Sequence, residues 1–213
     1  MTDRCNDNSK AEQKDRILSY AIENFSRNGI RNVKMDDIAS DLGISKRTLY
    51  QLFKDKENLL VECFKYSEKR SAKLYSELIK STDNILELYT KWLKMRIDEI
   101  RSINPQFFSD LNKYSRVQKY FRDVSAMKSK EGLKFINMGI AQGLFRNDIN
   151  YNVLLRISEI TAESIMRNEL YLEYSYDDLF GSTSIMSVRG ICTKKGYDLL
   201  DKYIESYKMK NNK

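Results

Sequence analysis

The amino-acid sequence predicts an all-α protein, and three observations support this fold class. Its 213 residues, of which 41% are hydrophobic, are enough to bury a core without disulfides or a structural metal. The chain contains one proline, Pro105, and eight glycines, so it lacks the breakers that all-β folds and flexible linkers usually carry. Apolar residues recur at spacings of three and four, which is the period of amphipathic helices.

The first helix is predicted from Lys10 to Asn28, after a polar N-terminal segment that we expect to be frayed. Five apolar residues form one face of this helix: Ile17, Leu18, Ala21, Ile22 and Phe25. Gly29 follows at a position where helices commonly end in a left-handed residue.

Residues 35–53 read MDDIASDLGISKRTLYQLF and predict two short helices separated by Gly43. The apolar positions of this pattern are Met35, Ile38, Ala39, Leu42, Ile44, Leu49, Leu52 and Phe53. Asp36 and Asp37 lie in the first turn of the earlier helix, where acidic side chains favour the positive end of the dipole. Ser45 is placed to cap the later helix. The spacing therefore matches a helix-turn-helix.

The remainder of the chain also reads as helices. We expect Asp55 to cap a long fourth helix, and further helical patterns cover residues 84–103, 106–114, 115–143, 151–171 and 196–208. The segment 176–191 is left unassigned, because Gly181 and Gly190 interrupt it. We predict two domains: a helix-turn-helix domain at residues 1–58 and a larger helical domain at residues 59–213.

The composition excludes several classes of enzyme. The chain has no histidine, which removes Ser-His and Cys-His nucleophiles, histidine bases and most transition-metal sites. It also lacks a glycine-rich phosphate loop. We therefore predict no catalytic residue, no metal and no cofactor, and we interpret the protein as not an enzyme. Carboxylate or lysine catalysis stays compatible with the composition.

Cysteine usage, hydropathy and charge suggest a location but no partner. Cys5, Cys63 and Cys192 lie far apart and are expected to be free thiols in a reducing cytoplasm. There is no signal-peptide pattern and no run of about 18 apolar residues, so we expect a cytoplasmic protein without a membrane partner. The net charge is +7, but residues 1–60 hold eleven Lys and Arg against ten Asp and Glu. Bulk charge alone does not mark a binding end.

The stretch GIRNVKMDDIASDLGISKRTLYQLFKDKENLL resembles the DNA-binding signature of the TetR family of transcriptional regulators. Shared features are the glycine after helix one, the acidic-Ile-Ala helix, the Gly-Ile-Ser turn, Thr-Leu-Tyr, and the following Phe, Lys and Leu. The resemblance covers about residues 11–60. It implies a DNA-binding head and a C-terminal helical domain that dimerises and binds an effector. Beyond residue 60 the similarity concerns architecture, including the segments 143–152 and 189–196.

In a helix-turn-helix the second helix enters the major groove, so its inward residues anchor it and its outward residues meet DNA. Leu49 and Phe53, spaced i and i+4, are the predicted anchors. Seven residues are the predicted DNA contacts: Lys46, Arg47, Thr48, Tyr50, Gln51, Lys54 and Lys56. Of these, Arg47 suits guanine and Gln51 suits adenine.

The resemblance assigns the family's phosphate contacts to Tyr50 and Lys56, with Lys54 as an electrostatic helper. The alternative for Tyr50 is a partly buried aromatic beside Phe53, and the alternative for the two lysines is an ordinary solvated helix end. One position departs from the family pattern: Lys34 stands where a Thr or Ser cap is usual. A capping bond is expected to be missing there, and Lys34 could contact phosphate instead.

The C-terminal domain offers candidates with two interpretations. Aromatic residues that either line an effector cavity or form simple core are Trp92, Phe107, Phe108, Tyr114, Phe121, Phe135 and Phe145. Interface candidates lie in helices 151–171 and 176–207, where dimer packing or intramolecular core are both open for Ile157, Ile160, Ile165, Leu199 and Ile204. A two-fold dimer would double the DNA contacts and match a palindrome.

Three functions follow as hypotheses. The first is a repressor that binds palindromic double-stranded operator DNA as a homodimer and is released by a small-molecule effector. The second is an architectural or cell-division factor that uses the same head with a protein partner. The third is a helical enzyme with an accidental motif, which the missing histidines disfavour.

Overall fold

The computed structural model describes residues 2–211, and the regular elements within that range are all helical. The α-helices are α1 (Thr2–Asn28), α2 (Met35–Asp41), α3 (Lys46–Leu52), α4 (Lys56–Lys80), α5 (Ile85–Arg101), α6 (Pro105–Leu111), α7 (Ser115–Ala141), α8 (Tyr151–Arg167), α9 (Thr183–Ile191) and α10 (Lys194–Asn211). A 3-10 turn at Leu170–Leu172 and a π-helical turn at Asp177–Ser182 precede α9. The predicted all-α fold class is confirmed.

Predicted and observed helix bounds differ most in three places. Helix α1 begins at Thr2 and not at Lys10. Helix α8 ends at Arg167 and not at residue 171, since the backbone turns left-handed at Glu169, with φ of 53°. The unassigned segment 176–191 is helical, as a π-helical turn that continues into α9.

The chain forms two compact units, each made of two stretches of sequence. The first unit comprises Met1–Lys73 and Ser102–Asp123, and the second comprises Leu74–Arg101 and Val124–Lys213. The first unit therefore contains α1, α2 and α3, most of α4, all of α6 and the beginning of α7.

The first unit is built around a single apolar core. The predicted face of α1 supplies Ile17, Leu18, Ala21 and Phe25, which are all buried, while Ile22 packs at the edge. Members contributed by α6 and α7 include Phe107, Leu111 and Val117. The buried Cys63 thiol lies in the same core, and burial holds its pKa far above the usual range, so it is an inert core residue.

The second unit has its own core, in which residues of α5, α8, α9 and α10 pack with the end of α7 and the turn that follows it. Residues that form it include Ile85, Leu86, Leu88, Ile136, Leu144, Phe145, Val188, Ile191 and Leu200. The turn after α7 is tied to the end of α9, because the Arg146 N–H donates to the Ile191 carbonyl at 2.9 Å and the Thr193 N–H donates to the Leu144 carbonyl at 2.9 Å.

The seven aromatic residues proposed for a cavity or a core are divided between the two units. Phe107, Phe108, Tyr114 and Phe121 pack in the first unit. Phe135 and Phe145 pack against each other in the core of the second unit, with ring centroids 5.5 Å apart. Trp92 stacks edge-on against Tyr75. The core interpretation therefore holds for the six phenylalanine and tyrosine residues.

The residues proposed for the dimer interface differ in burial. Ile157 and Ile160 are exposed on α8, whereas Ile165 is buried. Leu199 and Ile204 pack against the core of the second unit, so they serve the fold of one chain. Within residues 2–211, none of the helices combines the length and apolar character needed to span a membrane.

Candidate nucleic-acid interface

The turn between α2 and α3 is set by local hydrogen bonds and one glycine. Gly43 has φ of 65°, a conformation that favours glycine, and an added Cβ would meet nothing within 4 Å. The requirement at this position is therefore conformational. The Ile44 N–H donates to the Ala39 carbonyl at 3.0 Å, and Ser45 Oγ accepts from the Thr48 N–H at 3.0 Å. The predicted Ser45 cap of α3 is confirmed.

Helix α3 has a buried face and an exposed face. Leu49 and Phe53 are fully buried, as predicted for the anchors. Leu52 is different: it belongs to the predicted apolar pattern, yet it is 36% exposed and lies outside the core. On the opposite face the exposed side chains are Lys46, Arg47, Tyr50 and Gln51, with Thr48 half-buried. The structure thus brings five of the seven predicted contacts onto one short helix.

The exposed side chains differ in how they are bonded. Lys46 Nζ lies 2.5 Å from Asp36 Oδ2, and this hydrogen bond raises the pKa of Lys46. Thr48 Oγ1 lies 2.8 Å from Ser45 Oγ, so this hydroxyl is part of the cap. Neither Arg47 nor Gln51 forms an ion pair or side-chain hydrogen bond with another described residue. Their donors and acceptors are available to a partner.

Tyr50 and Lys54 both lie on the surface. Tyr50 is 46% exposed, so more than half of its surface is covered, and both the phosphate contact and the partly buried ring stay predictions. Lys54 is exposed between α3 and α4, as the predicted electrostatic helper or a solvated helix end would both be.

Lys56, the first residue of α4, is not an ordinary solvated side chain. It is half-buried, its ammonium donates to the Arg31 carbonyl at 3.3 Å, and it lies 5.9 Å from the centroid of the Phe25 ring. Burial lowers the pKa of Lys56, against the opposing influence of Asp110 and Asp37. The Lys56 ammonium is therefore held in a defined place at the start of α4.

The start of α4 is also fixed by its cap. Asp55 Oδ1 accepts from the Asn58 N–H at 2.8 Å, which confirms the predicted cap. The Arg116 guanidinium lies 2.7 Å from Asp55 and 3.0 Å from Glu57. Its hydrogen bond to Asp55 is the main reason why the pKa of Asp55 lies below its usual value.

Lys34 immediately precedes α2 and makes no side-chain cap bond, as predicted. Instead, the Asp37 carboxylate accepts from the Lys34 N–H at 3.3 Å. The Lys34 side chain is exposed, and so is that of Arg31 in the same loop. Sequence reasoning did not single out Arg31, because its bonds to Lys56 and Asp110 link parts of the chain that are distant in sequence.

The positive charge of the chain is concentrated in the first unit. Its two stretches hold 19 Lys and Arg against 14 Asp and Glu, which gives +5 of the total +7. The excess comes partly from exposed α7 residues: Arg116, Lys119 and Arg122. An excess of basic residues in the unit that carries the helix-turn-helix favours an acidic partner.

Helix α3 has an exposed polar face and is held by buried anchors in a basic helix-turn-helix unit. This arrangement is typical of a DNA-binding protein. Residues 17–63 match the family model described as bacterial regulatory proteins, tetR family. This part of the chain is a DNA-binding domain of the TetR family of transcriptional regulators.

Three transcriptional regulators are similar to this protein over most of the chain. The transcriptional repressor KstR2 of Mycobacterium tuberculosis is 24% identical over 151 residues, which cover 68% of this chain and 76% of KstR2. A transcriptional regulator from Saccharomonospora viridis solved with choline has a TM-score of 0.62 at 20% identity, covering 86% of this chain and all of that one. The regulator FadR from Bacillus subtilis, solved with stearoyl-CoA, has a TM-score of 0.61 at 18% identity, covering 82% and 97%. These structures share the fold.

Proposed function

We propose that this protein is a repressor that binds a palindromic operator as a homodimer and is released by a small-molecule effector. The observation that carries the proposal is the exposed face of α3, where Arg47 and Gln51 have no partner among the described residues. These are the side chains best suited to read guanine and adenine from the major groove. Tyr50, Lys54 and Lys56 are proposed as backbone contacts that position α3.

An apolar stripe on α8 supports the homodimer. Val153, Ile157 and Ile160 are exposed by 52%, 55% and 45%, and their spacing of four and three places them on one face of the helix. A second copy of the chain fits this stripe, because a two-fold axis brings identical apolar patches together. A dimer also presents two α3 helices to the two halves of a palindrome.

Release by an effector is supported by the fold and by the relatives. KstR2 is named a repressor, and structures with this fold have been solved with choline and with stearoyl-CoA. An effector acts only if it binds the DNA-free form more tightly than the DNA-bound form. Two depressions in the second unit are open to solvent: one lies along α5 and the other beside the turn after α7.

The test begins with the purified protein and a random pool of duplex DNA. We expect selection to yield one palindromic sequence, and we expect the corresponding genomic sites to lie near promoters whose transcripts rise when the gene is deleted. An extract of cellular metabolites should then weaken binding to that operator.

Two results would contradict this proposal. Dispersed sites unrelated to promoters, bound only with a protein partner, would favour the architectural or cell-division factor. Turnover of a substrate in the absence of DNA, without selection of any sequence, would favour the enzyme.

A further inference from the structure

The short helix α6 is bonded directly to the end of α1, although the two are far apart in sequence. The Asn104 N–H donates to the Ser26 carbonyl at 2.8 Å, and the Asn104 side chain donates to the Arg27 carbonyl at 3.1 Å. The Asn104 side chain also caps α6 by accepting from the Gln106 N–H at 2.9 Å. Asn104 thus fixes the beginning of α6 beside the loop that leads into α2.

One turn further along α6 lies Asp110, a fully buried carboxylate. It accepts from the Arg31 N–H at 2.8 Å and from Gln106 Nε2 at 3.1 Å, and Lys113 Nζ lies 3.4 Å away. Burial by itself raises the pKa of Asp110, but these donors outweigh burial and the net shift is downward. A buried carboxylate with three donors is ionised and tightly oriented.

The loop between α1 and α2 is pressed against α6. Gly29 has φ of 78°, and a Cβ there would lie 3.0 Å from Gln106 Cγ and 3.5 Å from Asp110 Oδ2. The absence of a side chain at Gly29 therefore allows the close approach of α6. The next residues of the loop present the Arg31 peptide to the Asp110 carboxylate.

Arg31 is bonded through both of its backbone groups. Its N–H donates to Asp110, and its carbonyl accepts from the Lys56 ammonium at 3.3 Å. These two groups belong to adjacent peptide groups joined at the Arg31 Cα, so a bond that holds the N–H also restricts the position of the carbonyl. The carbonyl uses one of the three ammonium donors of Lys56, which leaves two that can point to a phosphate.

We propose that Asp110 is a positioning residue for DNA binding, which fixes the Lys56 ammonium through the backbone of Arg31. This inference rests on the proposed function, in which Lys56 contacts the DNA backbone. It assigns to α6, outside the stretch matched by the family model, a direct part in setting the phosphate contact.

The positioning role predicts a change in DNA affinity opposite to the one that bulk charge predicts. Asp110 is an acidic residue in a basic unit, so bulk charge alone predicts that its removal strengthens DNA binding. If Asp110 positions Lys56, its removal weakens binding. Asn at this position keeps an acceptor for the Arg31 N–H but loses the charge, so it should have a smaller effect than Ala.

The experiment is a double-mutant cycle in the full chain, with the selected operator as the probe. Asp110→Ala should weaken operator binding about tenfold and lower the salt dependence towards that of Lys56→Ala. In the Lys56→Ala background it should cause no further weakening. Asp110→Asn covers the case in which the alanine variant fails to fold, and thermal melting reports the stability of each variant. Lys113→Ala is the matched control, since it removes a donor to Asp110 and leaves the Arg31 bond.

The other possible outcomes distinguish failure of the positioning role of Asp110 from failure of the proposed phosphate contact. Equal weakening by Asp110→Ala in both backgrounds, or tighter binding, would overturn the positioning role. If Lys56→Ala weakens binding while both Asp110 variants bind as the parent, the inference alone fails. If Lys56→Ala leaves both affinity and salt dependence unchanged, the proposed phosphate contact fails, and the positioning role fails with it.

Discussion

Arg47 and Lys56 carry the same charge in different environments. The Arg47 side chain is exposed on α3, whereas the Lys56 ammonium is held between the Arg31 carbonyl and the Phe25 ring. A guanidinium is a planar fork that matches the two acceptors of guanine, while an ammonium is a point charge suited to phosphate. We therefore propose that the exposed fork reads sequence and that the fixed ammonium holds the DNA backbone.

This difference predicts that substitutions of Arg47 and Lys56 weaken DNA binding in distinguishable ways. Arg47→Ala should cost roughly 1–3 kcal/mol per half-site and relax the preference at one operator position, because a bidentate contact to a base is lost. Lys56→Ala should weaken binding to all sequences alike and lower the salt slope by about one unit per phosphate contact. Binding to the operator and to single-base variants over a range of salt concentrations measures both.

The division between base-reading and phosphate-binding residues can be contradicted in two ways. It is wrong if Arg47→Ala leaves base preference intact, or if Lys56→Ala changes preference without changing the salt slope. Gln51→Ala serves as a companion variant, since it should relax preference at a different operator position from Arg47→Ala.

The anchoring residues of α3 could be predicted from the sequence, whereas the residues that hold Lys56 could not. The reason is physical. Leu49 and Phe53 are four apart, so the helical period alone places both inward, and the structure confirms this. Arg31 and Asp110 are 79 positions apart, and nothing periodic in the sequence links them. The Asp110 carboxylate could be recognised only from its buried position against the loop.

At the scale of elements, boundaries were predictable where they depend on local side-chain chemistry. Ser45 and Asp55 each accept from an N–H three residues later, which is a bond that the sequence can indicate. The end of α8 has no such signal, because Glu169, and not a glycine, adopts the left-handed conformation. Gly181 did not interrupt its segment, since it is buried in the π-helical turn close to Ile97.

The two caps of the helix-turn-helix predict opposite effects on stability. Ser45→Ala removes the bond to the Thr48 N–H and should lower the free energy of unfolding by about 1 kcal/mol. Lys34→Ser should raise it by about 1 kcal/mol, because a hydroxyl cap is added and a cation leaves the positive end of α2. Urea unfolding of the two variants measures both changes.

Lys34→Ala is the matched control for the gain at α2, since it removes the charge without adding a cap. It should stabilise the protein less than Lys34→Ser. Equal stability of the serine and alanine variants would show that the bond from the Lys34 N–H to Asp37 leaves no role for a hydroxyl cap.

At the scale of the whole molecule, the placement of charge depends on the fold. Residues 1–60 are nearly neutral, with a net charge of +1. The unit that contains the helix-turn-helix nevertheless carries +5, because it also includes residues 61–73 and 102–123. Composition along the chain could not reveal this, since the basic residues of α7 join the head only through tertiary packing.

The exposed stripe on α8 predicts how the whole molecule assembles. A self-complementary interface of at least about 1,000 Å² is expected to cover Val153, Ile157 and Ile160. In a two-fold interface Ile157→Glu places two carboxylates in one apolar patch, where desolvation without a partner is costly. We therefore expect this variant to be monomeric at micromolar concentration, while the parent sediments at twice the chain mass.

The matched control is Met127→Glu, because Met127 on α7 is 64% exposed and lies outside the candidate interface helices. This variant should remain dimeric and bind the operator as the parent does. Ile157→Glu should keep its helical content but lose most operator affinity, since one chain can contact only one half of a palindrome. A dimeric Ile157→Glu variant would exclude the stripe as the interface. A parent that is monomeric and still binds the palindrome with full affinity would exclude the dimer itself, because each head would then hold its half-site without help from a second chain.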